Sequence, residues 1–336
     1  MKILLTYAAI ATAIGTFGLA SSTQAGVSLS GAGASFPAPI YQRWAQDFNA
    51  KTGVQVSYQS VGSGSGVKQF IAETVDFGAS DAAMDDKELA EVKRGAVMLP
   101  MTAGSIVLAY NAPVEGLKLP RAVYPKIFLG EITNWNDPAI AAANPGVTLP
   151  DMPISVCFRS DGSGTTFVFT KHLVAISPDF DKEVGEGKSV TWPVGVGGKG
   201  NEGVTALVKQ MPGSIGYVEY GYAKGEGLKM ASIENKSGTF VAPTDESGAQ
   251  TLSHVEFPEN FRVWPADPTG TDDYPIATFT WMLLYKSYPD AAKLKALKDF
   301  VEFGLTDGQK IASELGYIPL PEAVVTKVRN ALATVK

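Results

Sequence analysis

VSLSGAGASFPAPIYQRWAQDFNAKTGVQVSYQSVGSGSGVKQFIAETVDFGASD, residues 27–81, decides the fold. A short strand from Val27 to Ser30 runs into Gly31-Ala32-Gly33-Ala34-Ser35-Phe36. Pro37 and Pro39 then open a segment with Ile40, Trp44 and Phe48 at helical spacing, closed by Lys51 and Gly53. A second strand, Val54 to Gln59, meets Gly62-Ser63-Gly64-Ser65-Gly66 before a helical segment from Val67 to Glu73. A third, Val75 to Ala79, ends at Ser80-Asp81, and Asp85 with Glu88 offers a capping box for the helix beyond. Strands alternating with helices in this way predict an α/β sheet.

The pattern recurs downstream. Ser105 to Tyr110 reads as a buried strand, and Ile154 to Phe158 as another that delivers Arg159. After Asp161-Gly162-Ser163-Gly164-Thr165-Thr166, the apolar spacing of Phe167, Phe169, Leu173 and Val174 predicts a helix starting near Ser163. Ser214 to Tyr220 and Phe279 to Tyr285 are further strands, and Ala291 to Phe303 and Ala323 to Val335 are amphipathic helices. In open α/β sheets, ligands sit beyond the carboxyl ends of strands, where helix N-termini present free N–H groups. The loops around Ser35, around Ser63, at Asp81 and from Arg159 to Thr165 occupy such positions. Their glycines let backbone come close, their hydroxyls and amides donate, and one guanidinium offsets charge, which suits a small oxyanion.

Composition bounds the rest. A chain of 336 residues allows two domains, and 45% hydrophobic with 18% charged residues is ordinary for a soluble globular protein. The formal charge of -6 recommends neither nucleic acid nor an anionic membrane as partner. Lys2, the apolar run from Ile3 to Leu19 and the small residues around Thr23-Gln24-Ala25 read as a cleaved signal peptide over residues 1–25, with a mature start at Gly26. Export to the periplasm as a soluble protein follows, and no cysteine lies near the cut to carry a lipid. The one cysteine, Cys157, forms no intrachain disulfide and is expected as a small buried hydrophobe in a strand. His172 and His254 are the only histidines and sit in no cluster with metal-ligand spacing, so neither a metal nor a cofactor is expected.

At six blocks the chain resembles a known family: GAGASFPAPIY (31–41), VGSGSGVKQF (61–70), VDFGASDA (75–82), RSDGSGTTFVFT (159–170), WPVGVGGKGNEGV (192–204) and GSIGYVEYGYAK (213–224). In this order they are similar to the phosphate-binding subunits of bacterial phosphate-specific ABC transporters. The resemblance implies a two-lobe periplasmic-binding-protein fold, each lobe a mixed sheet flanked by helices, joined by crossing hinge strands. It places one lobe at residues 26–100 plus 275–336 and the other at 101–274. It implies that inorganic phosphate is bound without chemistry by a monomer and passed to membrane permease and ATPase subunits. The phosphate contacts it implies fall on Ser35, Phe36, Ser63, Asp81, Arg159, Ser163, Gly164 and Thr165, with Asp161 holding the arginine. Ser35 stands where threonine is common, and Ser63-Gly64-Ser65-Gly66 replaces a run with adjacent serines; both changes keep the hydroxyl.

Other readings compete residue by residue. Taken singly, Ser35 and Ser63 are turn or cap residues, Asp81 a helix cap, and Arg159 with Asp161 a structural ion pair. Gly195-Val196-Gly197-Gly198-Lys199-Gly200 fits G-x-G-x-x-G with Glu219 ending a later strand, as a dinucleotide site requires, but Thr191-Trp192-Pro193 makes a poor buried strand before it. A secreted phosphatase would need a metal cluster or a nucleophile with a base. A sulfate- or molybdate-binding protein is set apart by Asp81, which as a carboxylate accepts from a protonated oxygen but cannot donate.

Overall fold

The computed structural model describes residues 26–336; the signal peptide expected at 1–25 lies outside the described residues. The chain opens with β1 (Ser28–Gly33), α1 (Ala38–Thr52), β2 (Gln55–Ser60), α2 (Ser63–Ile71), β3 (Phe77–Ser80) and α3 (Asp86–Glu91). A long strand follows, β4 (Ala96–Asn111), then β5 (Lys118–Leu119), α4 (Tyr124–Leu129) and α5 (Pro138–Ala141). The next stretch holds β6 (Ser155–Arg159), α6 (Gly164–Ile176), α7 (Pro178–Glu183), β7 (Val196–Gly198), α8 (Gly200–Gln210), β8 (Ser214–Glu219) and α9 (Tyr220–Gly225). The short strands β9 (Lys229–Met230), β10 (Ser232–Glu234) and β11 (Phe240–Val241) precede α10 (Asp245–Ser253). The chain closes with β12 (Ala277–Tyr285), α11 (Ala291–Leu305), α12 (Asp307–Lys310) and α13 (Glu322–Ala333).

The main sheet runs β2-β1-β3-β12-β4-β8-β6-β7, with β9 also on β4. β1 pairs in parallel with β2 and β3, while β12 is antiparallel to both β3 and β4. β4 serves two lobes. Its first part, Ala96 to Ser105, pairs with β12, and its second, Ile106 to Asn111, pairs with β8, beyond which β6 and β7 run parallel. The sequence reading finds only the second part of this strand, because Pro100 and Gly104 break the apolar run. Pro100 has no N–H for the ladder, and the register shifts beside it, between Thr280 and Trp281, as a bulge absorbs the defect.

α2 also begins earlier than the Gly/Ser run suggests, at Ser63 rather than Val67. The glycines here are packing devices within the first turn: a Cβ on Gly66 would lie 2.3 Å from Gly33 Cα, so α2 docks on β1 only because the side chain is missing. The expected capping box on α3 is present, Asp85 accepting from the Glu88 N–H and Glu88 returning the bond. Trp44 is fully buried, with its Nε1 donating to Gly308 O at 3.1 Å, and truncating such an anchor costs about 3 to 5 kcal/mol. Cys157 is buried in β6, where burial pushes its thiol up to about 11. Among the described residues no helix is long and apolar enough to cross a membrane.

Candidate functional site

Strand ends and helix starts bring the candidate residues together between the two lobes. From the first lobe come Ser35 and Phe36 in the turn after β1, Ser63 in the first turn of α2, and Asp81 just past β3. From the second come Arg159 at the end of β6 and Ser163, Gly164 and Thr165 at the start of α6. Ser35, Phe36, Ser63, Asp81, Arg159, Ser163 and Thr165 are all buried. The lobes are closed over them: the Gly64 N–H donates to Gly162 O at 2.8 Å and Trp264 Nε1 to Asp81 O at 3.2 Å. A Cβ on Gly164 would lie 2.5 Å from Ser63 Oγ and 2.7 Å from Asp81 Oδ2, so only glycine lets α6 approach Asp81 this closely.

Helix geometry leaves the first N–H groups of α6 without intrahelical partners. Ser163 is the N-cap, its Oγ accepting from the Thr166 N–H at 2.9 Å, which leaves the Gly164 and Thr165 amides without a protein acceptor among the described residues. Ser63 Oγ accepts from the Asp81 N–H at 3.3 Å, and its own hydroxyl proton, which favours the ionised Asp81 carboxyl, is one that rotation of the hydroxyl can redirect to another acceptor. The site is thus rich in unspent donors.

Arg159 is fixed in direction by its neighbours. Its Nε and Nη2 donate to the two carboxylate oxygens of Asp161 at 2.8 and 2.6 Å, and Nη1 donates to Thr165 Oγ1 at 3.3 Å. Burial pushes the Asp161 carboxyl up, but the hydrogen bonds and charge of Arg159 and the Gly200 N–H more than offset it, and the group sits below its usual range. Tyr217 OH accepts from the Arg159 N–H and shares a hydrogen bond with Thr166, tying the strand end to the helix start.

Asp81 has no such cationic partner in contact. Burial pushes its carboxyl up to about 7, although the hydrogen bond from Thr280 Oγ1 to Oδ1 at 2.8 Å, the charge of Arg159 and the Ser63 hydroxyl all pull it down. A buried cleft therefore contains one arginine already neutralised by a carboxylate and one carboxyl poised to hold or release a proton near neutral pH.

Sequence reasoning missed several residues that shape the site. Thr280 lies in the apolar run of β12, where a buried threonine among aromatic residues was the available signal. Tyr222 OH donates to Ser35 O at 2.6 Å from the second lobe. Asn201, inside the quoted block 192–204, donates to both Ser35 and Thr165. The same block supplied the dinucleotide alternative. Its glycines flank and include β7 rather than following a strand, and the first turn of α8 is already occupied, with the Gly200 N–H on Asp161 Oδ1 at 3.1 Å and the Asn201 N–H on Ser35 Oγ at 3.0 Å. His172 is a buried tie: its ring nitrogens meet Tyr124 OH and Ala266 O, each at 2.7 Å, and burial drives its pKa down to about 4.

Residues 19–307 match the family model of the PBP superfamily domain. The chain is 43% identical over 325 residues to the phosphate-binding protein PstS of Pasteurella multocida (strain Pm70), covering 95% of this chain and 93% of that one. Its identity to the phosphate-binding protein PstS of Haemophilus influenzae is 45% over 312 residues, 91% of this chain and 93% of that one. The fold matches that of a phosphate-binding protein from Stenotrophomonas maltophilia with a TM-score of 0.73 at 20% identity, over 90% of this chain and 93% of that one.

Proposed function

Because the chain belongs to the PBP superfamily and, within it, to the family of PstS phosphate-binding proteins, we propose that it captures inorganic phosphate between its lobes for import by an ABC transporter. Ser35, Ser63, Ser163 and Thr165 give hydroxyl donors, Phe36 and Gly164 give amides, Arg159 gives the guanidinium, and Asp81 accepts the proton of a P–OH group. Asp161 holds the arginine. The observation that carries this reading is the convergence, in one buried cleft, of unspent donors from separate segments around the Asp81 carboxyl, which no cation among the described residues contacts.

Phosphate bridging both lobes favours the closed form, which is what a permease can distinguish from the empty protein. The lobes are residues 26–100 plus 275–336 and 101–274, with β4 running through the division between them. The protein works as an exported periplasmic monomer, delivers phosphate to permease and ATPase subunits, and catalyses nothing. A micromolar complex needs only about 8 kcal/mol. Charge-assisted hydrogen bonds at roughly 1.5 to 3 kcal/mol each supply that after association costs.

Calorimetry on phosphate-free protein tests the reading directly. Phosphate is expected to bind at micromolar concentration or below, NAD to give no heat, and a chromogenic phosphate ester to release no phosphate. Absent phosphate binding or steady ester turnover would overturn it.

A further inference from the structure

Asn201 is wholly buried in the first turn of α8 and touches both lobes. Its backbone N–H and its Nδ2 both donate to Ser35 Oγ, at 3.0 and 2.9 Å. The same Nδ2 donates its second hydrogen to Thr165 Oγ1 at 3.2 Å. Its Oδ1 accepts the Glu219 N–H at 2.9 Å, and since a backbone N–H can only donate, the amide has one orientation.

A hydroxyl has two acceptor positions and one proton. On Ser35 Oγ both acceptor positions are filled by Asn201. On Thr165 Oγ1 one is filled by Asn201 and the other by Arg159 Nη1 at 3.3 Å. Neither hydroxyl can accept from anything else, and the remaining capacity of each is to donate. We propose that Asn201 is the positioning residue that makes the Ser35 and Thr165 hydroxyls obligate donors to the captured oxyanion. This proposal rests on the phosphate reading above.

Two consequences follow from the geometry. Ser35 belongs to the first lobe and Asn201 to the second, so the Ser35 hydroxyl is committed only on closure, and closure itself completes the donor set. With these hydroxyls unable to accept, a protonated ligand oxygen is directed away from them and toward Asp81.

The test is a double-mutant cycle read by phosphate calorimetry at pH 8, with Asn201→Ala placed in the wild-type chain and in a Ser35→Ala/Thr165→Val background. In the wild-type chain the substitution is expected to weaken binding about 10- to 100-fold, and in the background less than about threefold, because the hydroxyls it orients are gone. A residue that merely braces α8 would cost the same in both, and equal losses overturn the proposal. Asn201→Asp keeps the size and the acceptor for Glu219 but reverses both donor contacts. It is expected to bind more weakly than the alanine variant at pH 8 and to recover as its carboxyl protonates at pH 5. This variant keeps the test open if the alanine variant does not fold, and wild-type affinity in it overturns the proposal. Failure of the unsubstituted chain to bind phosphate overturns this inference and the phosphate reading together, whereas phosphate binding with additive Asn201 losses overturns this inference alone.

Discussion

The two sides of the cleft handle buried charge in opposite ways. On the second lobe Arg159 is almost fully buried, 1% exposed at its side chain, yet Asp161 meets it with both carboxylate oxygens and the pair is neutral. On the first lobe Asp81 is equally buried but its carboxyl is met by the Thr280 and Ser63 hydroxyls and by no cation among the described residues, and its proton affinity rises until it titrates near neutrality. A paired buried charge is a fixed part of the wall, while an unpaired one is a reader of protons. If the proposed phosphate site is right, capture of an anion would depend on N–H and O–H dipoles with a guanidinium already oriented, and choice among anions would fall to the first lobe's acid.

The largest effect expected of this asymmetry is on sulfate. Sulfate matches phosphate in shape but carries no proton near neutral pH, so ionised Asp81 would face only unprotonated oxygens. Sites that read a substrate OH reject analogues lacking it by roughly 10⁴ to 10⁵. Competition titration at pH 8 should show a preference for phosphate of that order. Asp81→Asn, whose amide can donate, should narrow it, as should lowering the pH below about 7, where Asp81 itself acquires a proton to donate. Comparable displacement by both anions at pH 8 would mean that Asp81 does not face the ligand.

On the second lobe, Arg159→Ala should weaken phosphate binding by about 2 to 5 kcal/mol, because it removes the guanidinium and leaves Asp161 buried without its partner. Asp161→Asn should cost less, about 1 to 2 kcal/mol, since one acceptor persists and the lost negative charge favours an anion nearby. If the two losses are equal in calorimetry, the pair acts on phosphate as a unit and the proposed division of labour between them is wrong.

What the sequence makes legible divides along similar lines. The strand–helix units from β1 to β3 and the start of α6 can be read because their apolar spacing and their caps are local, as Ser163 and the Asp85 box illustrate. β4 is half hidden because a proline and a glycine inside it are tolerated only by partners far away, a bulge beside Pro100 and the Phe36 ring against Gly104. The convergence of Ser35, Ser63, Asp81 and Arg159 was an implication of family resemblance, since no local pattern reports which strand ends meet. Asn201 and Thr280 were missed for the same reason: each looks like an ordinary helix or strand residue until its long-range partners, Ser35 and Asp81, are in place.

The unpaired acid also predicts how the empty protein responds to pH. An acid whose folded pKa exceeds its unfolded value binds its proton more tightly when folded. The stability this gives is fully present below about 3.8 and is lost as pH rises through about 7. Each pH unit between those two values corresponds to roughly 1.4 kcal/mol, so the loss from Asp81 amounts to roughly 4 kcal/mol. Urea unfolding of the phosphate-free protein should show this decline between pH 4 and pH 8, and Asp81→Asn should reduce it, leaving the part due to Glu219, whose carboxyl burial also pushes well up. An unchanged slope in the variant would place the titration elsewhere.

The smallest effect isolates the hydroxyl that holds Asp81. Thr280 Oγ1 donates to Asp81 Oδ1 at 2.8 Å from a fully buried position in β12, and valine has nearly the same shape without the donor. Removing that bond withdraws a contact that favours the charged carboxylate, so the folded pKa of Asp81 rises further and the decline in stability extends to higher pH. At pH 5 the carboxyl is already neutral in the folded protein and the hydroxyl contributes less. Thr280→Val should therefore lower the stability of the empty protein by about 1 kcal/mol more at pH 8 than at pH 5. Paired urea titrations at the two pH values measure the difference. Equal losses at both would mean that Thr280 serves packing alone, and that burial by itself sets the proton affinity of Asp81.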